Sequence, residues 1–259
     1  MIDAADLKQL VEITESAAQL ALRLQASALS RNKTDGTVVT SADLQVEEKL
    51  RSDVEAAFGA VPILGEENGG RVTGAGTAVV IDPIDGTATY VRGSPIWAVS
   101  LGLLVDGRAA AGVVAAPAMG RTWAGAAGVG ASHNGRPVRA RPVHLGRNAL
   151  IAATSEAVRR YGGPPSSVGH LRCFGAVAVQ IAMCADGEVD VAVCSDWKLW
   201  DVTGALAILL AAGGEVSCAC DGSDASNLLA IRPNADLVAG GPDVHRLVPR
   251  PIPLWQDAG

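Results

Sequence analysis

A short apolar run that ends in two acids separated by a proline constrains this chain more than any other feature. Residues 78–81 (Ala-Val-Val-Ile) have the composition of a buried strand, which places Asp82 at its carboxyl end. Pro83 lacks a backbone donor and is expected to bend the chain out of the sheet. Asp85 follows closely enough for both carboxylates to face one point. The Gly86–Thr87 pair then opens a segment whose free N–H groups and helix dipole favour a phosphate, so the acids suit Mg²⁺ and a phosphorylated substrate.

The composition favours a globular protein that acts on small molecules. The 259 residues suffice for one large domain or two joined ones, and 49% of them are hydrophobic although only 3% are aromatic. The formal net charge is −6 and there is no basic block, which argues against a nucleic-acid polymer as partner. A small anionic substrate is compatible with this charge, because bound cations can reverse the local field.

The cysteines and the apolar runs predict a soluble, cytoplasmic protein without disulfides. Five cysteines do not suggest a disulfide framework, and Cys218-x-Cys220 has no second pair at zinc spacing, so all five are predicted to be reduced and packed. The first residues, 1–3, lack the basic-then-apolar order of a signal peptide. No apolar run approaches the ~20 residues that a membrane span needs.

Local signals predict the elements of the first half of the chain. Asp3 is a plausible N-cap for a helix over 4–29, and Thr40-Ser41-Ala42-Asp43 has the form of a capping box before a second helix that ends at Gly59. Asp106-Gly107 and Asn134-Gly135 are hairpin turns between predicted strands. A polar turn is predicted at residues 32–36, and the tryptophans Trp97 and Trp123 are predicted in the core.

The second half is predicted to begin after a seam at Arg139–Arg147, where apolar periodicity is lost. This seam divides the chain into subdomains 1–145 and 146–259. The elements predicted beyond it are a strand at 149–154, a loop at 162–167, a buried helix at 176–185, a strand at 189–193, a helix at 202–212 and a strand at 234–240. The proline-rich tail 249–259 is expected to be disordered or to lie at an interface.

Three blocks resemble the inositol monophosphatase family of Mg²⁺-dependent phosphomonoesterases. Residues 82–87 match its pattern D-P-[IL]-D-G-[TS], with Gly65-Glu66-Glu67 upstream and Leu199-Trp200-Asp201-Val202 downstream in the expected order. The resemblance implies a layered α/β/α/β/α fold of two tightly joined subdomains and two or three Mg²⁺ per site. It also implies a homodimer.

The resemblance further implies a role for each residue of these blocks. Glu66, Asp82 and the Ile84 carbonyl would hold a first metal, and Asp82 would bridge to a second metal held by Asp85 and Asp201. Thr87 and Asp43 would orient or deprotonate the attacking water, Asp43 beside a third and weaker metal, so that the implied catalytic residues are Thr87, Asp43 and Glu66. The implied substrate contacts are Asp85, Gly86, Thr87, Gly175, Ala176, Cys194, Lys198 and Asp201.

Taken without the resemblance, the acids have plainer interpretations. Asp43 fits a capping acid, Glu66-Glu67 fits a solvated loop, and Asp201 fits the N-cap of the helix that follows it. The residues alone leave both interpretations open. The residues that other phosphatase mechanisms require are missing. No histidine lies in the three blocks for a phosphohistidine or Ser-His-Asp mechanism, and no cysteine begins the Cys-x5-Arg loop of a thiol phosphatase.

The chain departs from inositol phosphatases on the substrate side. They have a glutamate seven residues before the Trp-Asp aspartate, where this chain has Cys194, and Ala176 replaces a hydroxyl residue after Gly175. A site without its hydroxyl acceptor loses discrimination, which disfavours inositol 1-phosphate. Asp196 and Lys198 are either contacts to an amino-bearing or acidic substrate or solvated loop charges.

The prediction is therefore Mg²⁺-dependent hydrolysis of a small phosphate monoester. Histidinol phosphate or a sugar phosphate is favoured, and the loop Tyr90-Val91-Arg92-Gly93 is similar to that of bacterial histidinol phosphatases. The alternatives are a nucleotide phosphatase, acting on a nucleoside monophosphate or 3′-phosphoadenosine 5′-phosphate, and a catalytically silent binding protein of the same fold.

Overall fold

The helices of the chain lie in three layers separated by two sheets. The computed structural model describes residues 2–32, 38–162, 169–231 and 235–247. Residues 33–36 of the predicted turn at 32–36, most of the predicted loop at 162–167 and the tail 249–259 lie outside the described residues, and residue 32 ends a strand. Within the described ranges the α-helices are α1 Ala4–Leu24, α2 Ser41–Phe58, α3 Thr87–Tyr90, α4 Ser155–Tyr161, α5 Val177–Ala185 and α6 Leu199–Ala211.

The strands form one sheet from each half of the chain, besides a short antiparallel pair of β1 (Ser30–Asn32) and β2 (Val38–Thr40). The seven-stranded sheet runs β3-β4-β5-β6-β7-β8-β9, with β3 Ile63–Gly65, β4 Thr77–Asp85, β5 Ala98–Val105, β6 Arg108–Ala116, β7 Arg121–Ala126, β8 Gly130–His133 and β9 Arg136–Val138. Its only parallel pair is β3 with β4. The five-stranded sheet runs β11-β10-β12-β14-β13, with β10 Leu150–Ala153, β11 His170–Arg172, β12 Val191–Cys194, β13 Glu215–Cys218 and β14 Leu237–Gly240.

Packing between these elements produces an α/β/α/β/α arrangement. Helices α1 and α2 cover one face of the seven-stranded sheet, and α6 packs on the opposite face together with α5. The five-stranded sheet lies beyond α5 and α6, and α4 packs against its strands β10 and β12. Each helix thereby buries its apolar stripe against a sheet face, which is the usual reason for layered architectures. The layered fold implied by the resemblance is confirmed. The division at residue 145 stays a prediction.

Several local predictions of the first half are confirmed. The Asp3 side chain caps α1 by accepting hydrogen bonds from the N–H groups of residues 5 and 6. Thr40 caps α2 in the expected capping box, and α2 ends at Gly59. Asp106 and Gly107 both have positive φ, 51° and 78°, as the tight turn between β5 and β6 requires. Trp97 and Trp123 are fully buried.

Other local predictions were wrong. Pro83 does not end its strand, because β4 runs on to Asp85 and a bulge between Asp82 and Asp85 accommodates the proline. Helix α1 ends at Leu24, and residues 25–27 form a 3₁₀ turn. Helix α6 begins at Leu199, so Asp201 is its third residue and not its N-cap.

Four further elements and two cysteines differ from expectation. Helix α4 and strands β1, β11 and β13 were not predicted, since β1 and β11 have only three residues each, α4 has few apolar residues and β13 follows α6 after a short turn. The five cysteines are free, but only Cys184, Cys194 and Cys218 are buried; Cys173 and Cys220 are exposed, not packed. Among the described residues, no helix combines the length and the apolar content that crossing a bilayer needs.

Glycines bring α6 unusually close to the seven-stranded sheet. A Cβ on Gly112 of β6 would stand 2.1 Å from the carbonyl oxygen of Gly204 on α6, and one on Gly102 of β5 would stand 2.6 Å from the Gly204 nitrogen. Only residues without side chains allow this approach. Because Asp201 lies one turn before Gly204, the contact places Asp201 near the end of β4.

Candidate active site

The Asp82–Thr87 segment forms a compact turn at the end of β4. Asp82 and Ile84 are both 1% exposed, and the Ile84 N–H donates to Asp82 Oδ1 at 3.0 Å. The Thr87 hydroxyl donates to the Ile84 carbonyl at 3.0 Å. Gly86 has φ 87°, a left-handed conformation that a side chain would strain. Helix α3, which follows, has only four residues, so the helix dipole predicted to favour a phosphate is that of a single turn.

Asp43 both caps α2 and reaches this turn. Its Oδ2 accepts hydrogen bonds from the Thr40 N–H at 2.8 Å and the Thr40 hydroxyl at 2.6 Å. Its Oδ1 lies 3.4 Å from the Thr87 hydroxyl, whose single proton is donated either to Asp43 or, at 3.0 Å, to the Ile84 carbonyl. Asp43 therefore caps α2 and also lies beside Thr87, and its predicted role toward the attacking water stays a prediction. Burial raises the pKa of the Asp43 carboxyl, against the lowering effect of its bonds to Thr40.

Asp85 joins the two halves of the chain. Its Oδ1 accepts a hydrogen bond from the Val177 N–H and its Oδ2 one from the Ala178 N–H, both at 2.8 Å. These are N-terminal amides of α5 that have no partner within the helix. The loop before α5 also touches the Asp82–Thr87 turn, because a Cβ on Gly86 would stand 3.0 Å from the Gly175 carbonyl oxygen and 3.1 Å from the Ala176 side chain.

Glu66 and Asp201 approach Asp82 from other elements. Glu66 follows β3, is half-buried, and donates its N–H to the carbonyl of Ile81, beside Asp82, at 3.3 Å. Asp201 is also half-buried, and its Oδ2 accepts from the Lys198 N–H at 2.7 Å. Four other acids from two helices and two strand ends, taken from both halves of the chain, therefore lie close enough to Asp82 to interact with it electrostatically.

The acids influence one another's ionisation strongly. Burial raises the pKa of Asp82 well above its ordinary value, and Glu66, Asp85, Asp201 and Asp43 raise it further. Burial and then Asp201 raise the pKa of Asp85 to about 8, although its bonds to α5 act in the opposite direction. Desolvation, with a smaller contribution from Glu66, raises the pKa of Asp201 to about 7. Such mutual repulsion among buried carboxylates is relieved by a cation.

The chemistry of this group fits a hard divalent cation. Carboxylate oxygens and a backbone carbonyl, that of Ile84, are the donors Mg²⁺ prefers. Two of the acids, Asp82 and Asp85, are 1% and 4% exposed, so bulk water does not solvate their carboxylates. An anionic cluster of this kind is costly unless a counter-charge is supplied.

A second group of side chains could hold a metal and was not predicted. One ligand atom from each of His133, Asp186 and Glu188 lies within 4.8 Å of the others. However, the Trp123 indole N–H donates to Asp186 Oδ2 at 2.8 Å, and Arg121 Nη1 lies 2.6 Å from Glu188 Oε2. These partners already compensate the carboxylates, so this group has less need of a cation than the acids around Asp82.

The predicted substrate contacts occupy two different environments. Gly175 is exposed and Lys198 is 55% exposed on its side chain, where it forms a 3.6 Å ion pair with the exposed Asp196. Cys194 has no exposed surface, accepts a hydrogen bond from Gln180 Nε2 at 3.3 Å, and has its thiol pKa raised by burial to about 12. The predicted contact between Cys194 and substrate stays a prediction, and the buried thiol presents no surface of its own.

Glu47 is a buried acid that sequence reasoning did not single out. It lies four residues after Asp43 on α2, in the otherwise apolar stripe of Val46 and Leu50, and has none of its surface exposed. An acid within a buried helical stripe was the signal that could have identified it.

Comparison with known proteins agrees with this geometry. The model of the inositol monophosphatase family matches residues 4–244, and the chain belongs to this family, which is metal-dependent. The histidinol-phosphatase of Mycobacterium tuberculosis is 34% identical over 201 residues, covering 71% of this chain and 75% of the relative. That of Chlorobaculum parvum is 32% identical over 224 residues, covering 81% and 84%.

Solved structures agree with the fold. The inositol monophosphatase (IMPase) of Thermotoga maritima superposes with a TM-score of 0.82 at 24% identity, covering 95% of each chain. The predicted enzyme class, a phosphoric monoester hydrolase, is confirmed by the family membership and the phosphatase relatives.

Proposed function

We propose that the chain hydrolyses a small phosphate monoester with Mg²⁺, at the acids gathered around Asp82. The observation that carries this proposal is the placement of the acids. Asp82 and Asp85 are buried at the end of β4, and the Glu66 N–H donates to the Ile81 carbonyl beside Asp82 at 3.3 Å. In agreement with this placement, the pKa of Asp82 is raised by burial and then by the neighbouring acids. Placing these buried acids together lowers the stability of the fold, and packing alone supplies no compensating gain, so the arrangement indicates a functional site.

The acids lie on different helices and strands, and together they would hold the metal ions. Glu66, Asp82 and the Ile84 carbonyl would hold one ion, and Asp82, Asp85 and Asp201 a second, with Asp43 beside a third and weaker position. The chemistry that Mg²⁺ supplies when bound is neutralisation of charge on the phosphoryl and leaving oxygens and acidification of water.

The residues around Thr87 would manage the proton of the attacking water. The Thr87 hydroxyl lies between the Ile84 carbonyl at 3.0 Å and Asp43 Oδ1 at 3.4 Å. When the hydroxyl donates its proton to Asp43, its oxygen accepts a hydrogen bond from the attacking water. This hydrogen bond would orient the water with a lone pair directed at phosphorus. The raised pKa of Asp43 makes that carboxylate a better proton acceptor. The N–H groups of Gly86 and Thr87 would hold the phosphate.

Histidinol phosphate is the substrate we favour. Three relatives that are 34%, 32% and 31% identical are named histidinol-phosphatases, and one that is 32% identical is named a fructose-1,6-bisphosphatase/inositol-1-monophosphatase. The buried neutral thiol of Cys194 and the methyl of Ala176 provide no strong acceptor for the hydroxyls of a polyol. The carboxylate of Asp196 is exposed and would exchange its 3.6 Å ion pair with Lys198 for the ammonium group of histidinol phosphate.

A phosphate-release panel tests the substrate. Histidinol phosphate, sugar phosphates, inositol 1-phosphate, nucleoside monophosphates and 3′-phosphoadenosine 5′-phosphate are compared at equal concentration, with Mg²⁺ and with EDTA. We expect histidinol phosphate to have the highest kcat/KM and EDTA to abolish release. Equal kcat/KM for inositol 1-phosphate would overturn the interpretation of Cys194 and Ala176.

Substitution of Asp82 by asparagine tests the metal assignment. We expect Asp82→Asn to abolish phosphate release while raising the thermal stability of the metal-free protein, because the neutral amide removes buried repulsion. Glu48→Gln on the exposed face of α2 is the control and should change neither. Retained activity in Asp82→Asn would contradict the assignment.

We also propose that the protein is a cytoplasmic homodimer that acts on a small phosphorylated molecule and not on a nucleic-acid polymer or a membrane. Light scattering during size-exclusion chromatography at several protein concentrations tests the oligomeric state. A mass near the 26.3 kDa of one chain at every concentration would reject the dimer.

A further inference from the structure

The buried acid Glu47 contacts the backbone on both sides of Glu66. Glu47 Oε2 accepts a hydrogen bond from the Glu67 N–H at 2.7 Å, and its Oε1 accepts one from the Asn68 N–H at 3.1 Å. On the other side of Glu66, a Cβ on Gly65 would stand 2.2 Å from Glu47 Oε1. One carboxylate therefore supports the whole loop that carries Glu66.

Arg51 completes this support from the next turn of α2. Its Nε donates to Glu47 Oε1 at 2.8 Å, and its Nη2 donates to the Gly69 carbonyl at 2.5 Å. The same carbonyl accepts from the Gly65 N–H at 2.9 Å, which closes the loop on itself. Glu47 is thus a fully buried carboxyl group whose hydrogen bonds go to its own helix and to the Glu66 loop.

We propose that Glu47 is a positioning residue that sets where the Glu66 carboxylate lies relative to Asp82. The inference rests on the proposed role of Glu66 as a metal ligand and adds the residue that holds this ligand in place. Groups that orient ligands affect metal affinity without touching the metal, because a ligand displaced by a fraction of an ångström no longer fits the coordination geometry.

Helix α2 gives the arrangement a structural logic. Asp43 and Glu47 are four residues apart and so lie on the same helix face. Asp43 reaches Thr87, and Glu47 reaches the Glu66 loop. One rigid element therefore holds both the acid beside the attacking water and the loop of the first metal ligand in a fixed relation.

The first test replaces Glu47 by glutamine and measures Mg²⁺ binding by calorimetry without substrate. Glutamine has nearly the same shape, but its amide would turn a donor toward Arg51 or toward a backbone N–H. We expect Mg²⁺ affinity to fall about tenfold or more, with kcat at saturating Mg²⁺ within a few-fold of the parent. Glu48→Gln is the matched control, since Glu48 is the adjacent and exposed acid on the same helix.

Gly65→Ala is a second variant that displaces the loop from the other side. Its methyl group would clash with the Glu47 carboxylate, so we expect the same loss of Mg²⁺ affinity in the folded protein. If Glu47→Gln folds poorly, this variant decides the question. Unchanged Mg²⁺ affinity in the folded form of either variant would overturn the proposal.

A double-mutant cycle separates this proposal from the proposed function. If Glu47 acts through Glu66, then Glu47→Gln should cause no further loss of Mg²⁺ affinity in a Glu66→Gln background. Additive losses would mean that Glu47 acts independently of Glu66 and would overturn the inference. If Glu66→Gln alone left Mg²⁺ affinity unchanged, the metal assignment itself would fail.

Discussion

The carboxylate of Asp85, at the end of β4, accepts a hydrogen bond of 2.8 Å from the N–H of Val177, the first residue of α5. The two residues are 92 positions apart and belong to the two halves of the chain. The acid proposed to hold metal is therefore also the one that anchors the helix layer between the sheets. The proposed metal binding and the observed contact between the halves therefore depend on the same side chain.

The stability of the metal-free protein is expected to fall as pH rises. Asp85 and Asp201 have pKa values raised to about 8 and about 7, so the folded protein retains protons that the unfolded chain releases near pH 4. The stabilising contribution is full below the unfolded pKa and is lost as pH rises through the folded pKa.

Urea unfolding in EDTA from about pH 5 to about pH 9 measures this loss, at up to ~1.4 kcal/mol per pH unit for each group. Added Mg²⁺ should restore stability most at the alkaline end. Asp85→Asn should flatten the dependence. A free energy of unfolding that increased with pH across this range would show that the acids are not repelling one another.

The hydroxyl of Thr87 is expected to matter for rate and not for folding. Thr87→Val keeps the shape but removes the donor to Ile84 and Asp43, so kcat should fall about 10²–10⁴-fold. Thr87→Ser keeps the hydroxyl and should remain within about tenfold of the parent. Steady-state kinetics with circular dichroism checks both, and equal activity of the valine and serine variants would remove Thr87 from the proposed mechanism.

The close approach of α6 to the sheet predicts a stability defect. The methyl group of Gly112→Ala would overlap the Gly204 carbonyl, so the free energy of unfolding should fall by about 1–3 kcal/mol. Mg²⁺ affinity should fall too, because a displaced α6 moves Asp201. Gly74→Ala is the control, since a Cβ there meets nothing within 4 Å. Chemical unfolding of both variants is the measurement, and equal stability would contradict the packing argument.

Two neighbouring arginines of α4, Arg160 and Arg159, allow a partly buried ion pair to be compared with an exposed one. Asp236 is nearly buried and accepts two 2.7 Å hydrogen bonds from Arg160, as well as one from the Tyr161 hydroxyl. Because the Arg160 side chain is 45% exposed, solvent screens the pair, and Arg160→Met should cost only about 1–2 kcal/mol.

The neighbouring Arg159 is the control for this pair. It contacts Glu156 at the surface with 65% of its side chain exposed, so Arg159→Met should cost less than about 0.5 kcal/mol. Thermal unfolding compares the two variants. Equal losses would show that the burial of Asp236 does not distinguish its ion pair.

The sequence predicted most accurately the features that depend on residues close together in the chain, such as helix caps and tight turns. The caps at Asp3 and Thr40 and the turn at Asp106-Gly107 depend on contacts within four residues, and the structure has all three. The prediction for Pro83 failed because the effect of a proline depends on the strand beside it. Strand β5 pairs with β4 on both sides of the bulge, so β4 continues beyond the proline.

By itself, the amino-acid sequence determined the family through three short motifs, and the resemblance to that family then implied the layered fold and the set of acids. Only the tertiary structure decided that Asp85 anchors α5, that Glu47 supports the Glu66 loop and that Cys194 is shut away from the surface. Each of these depends on segments distant in sequence that meet when helices pack on sheets. A one-dimensional pattern records which side chains are apolar but not which neighbours they will bury.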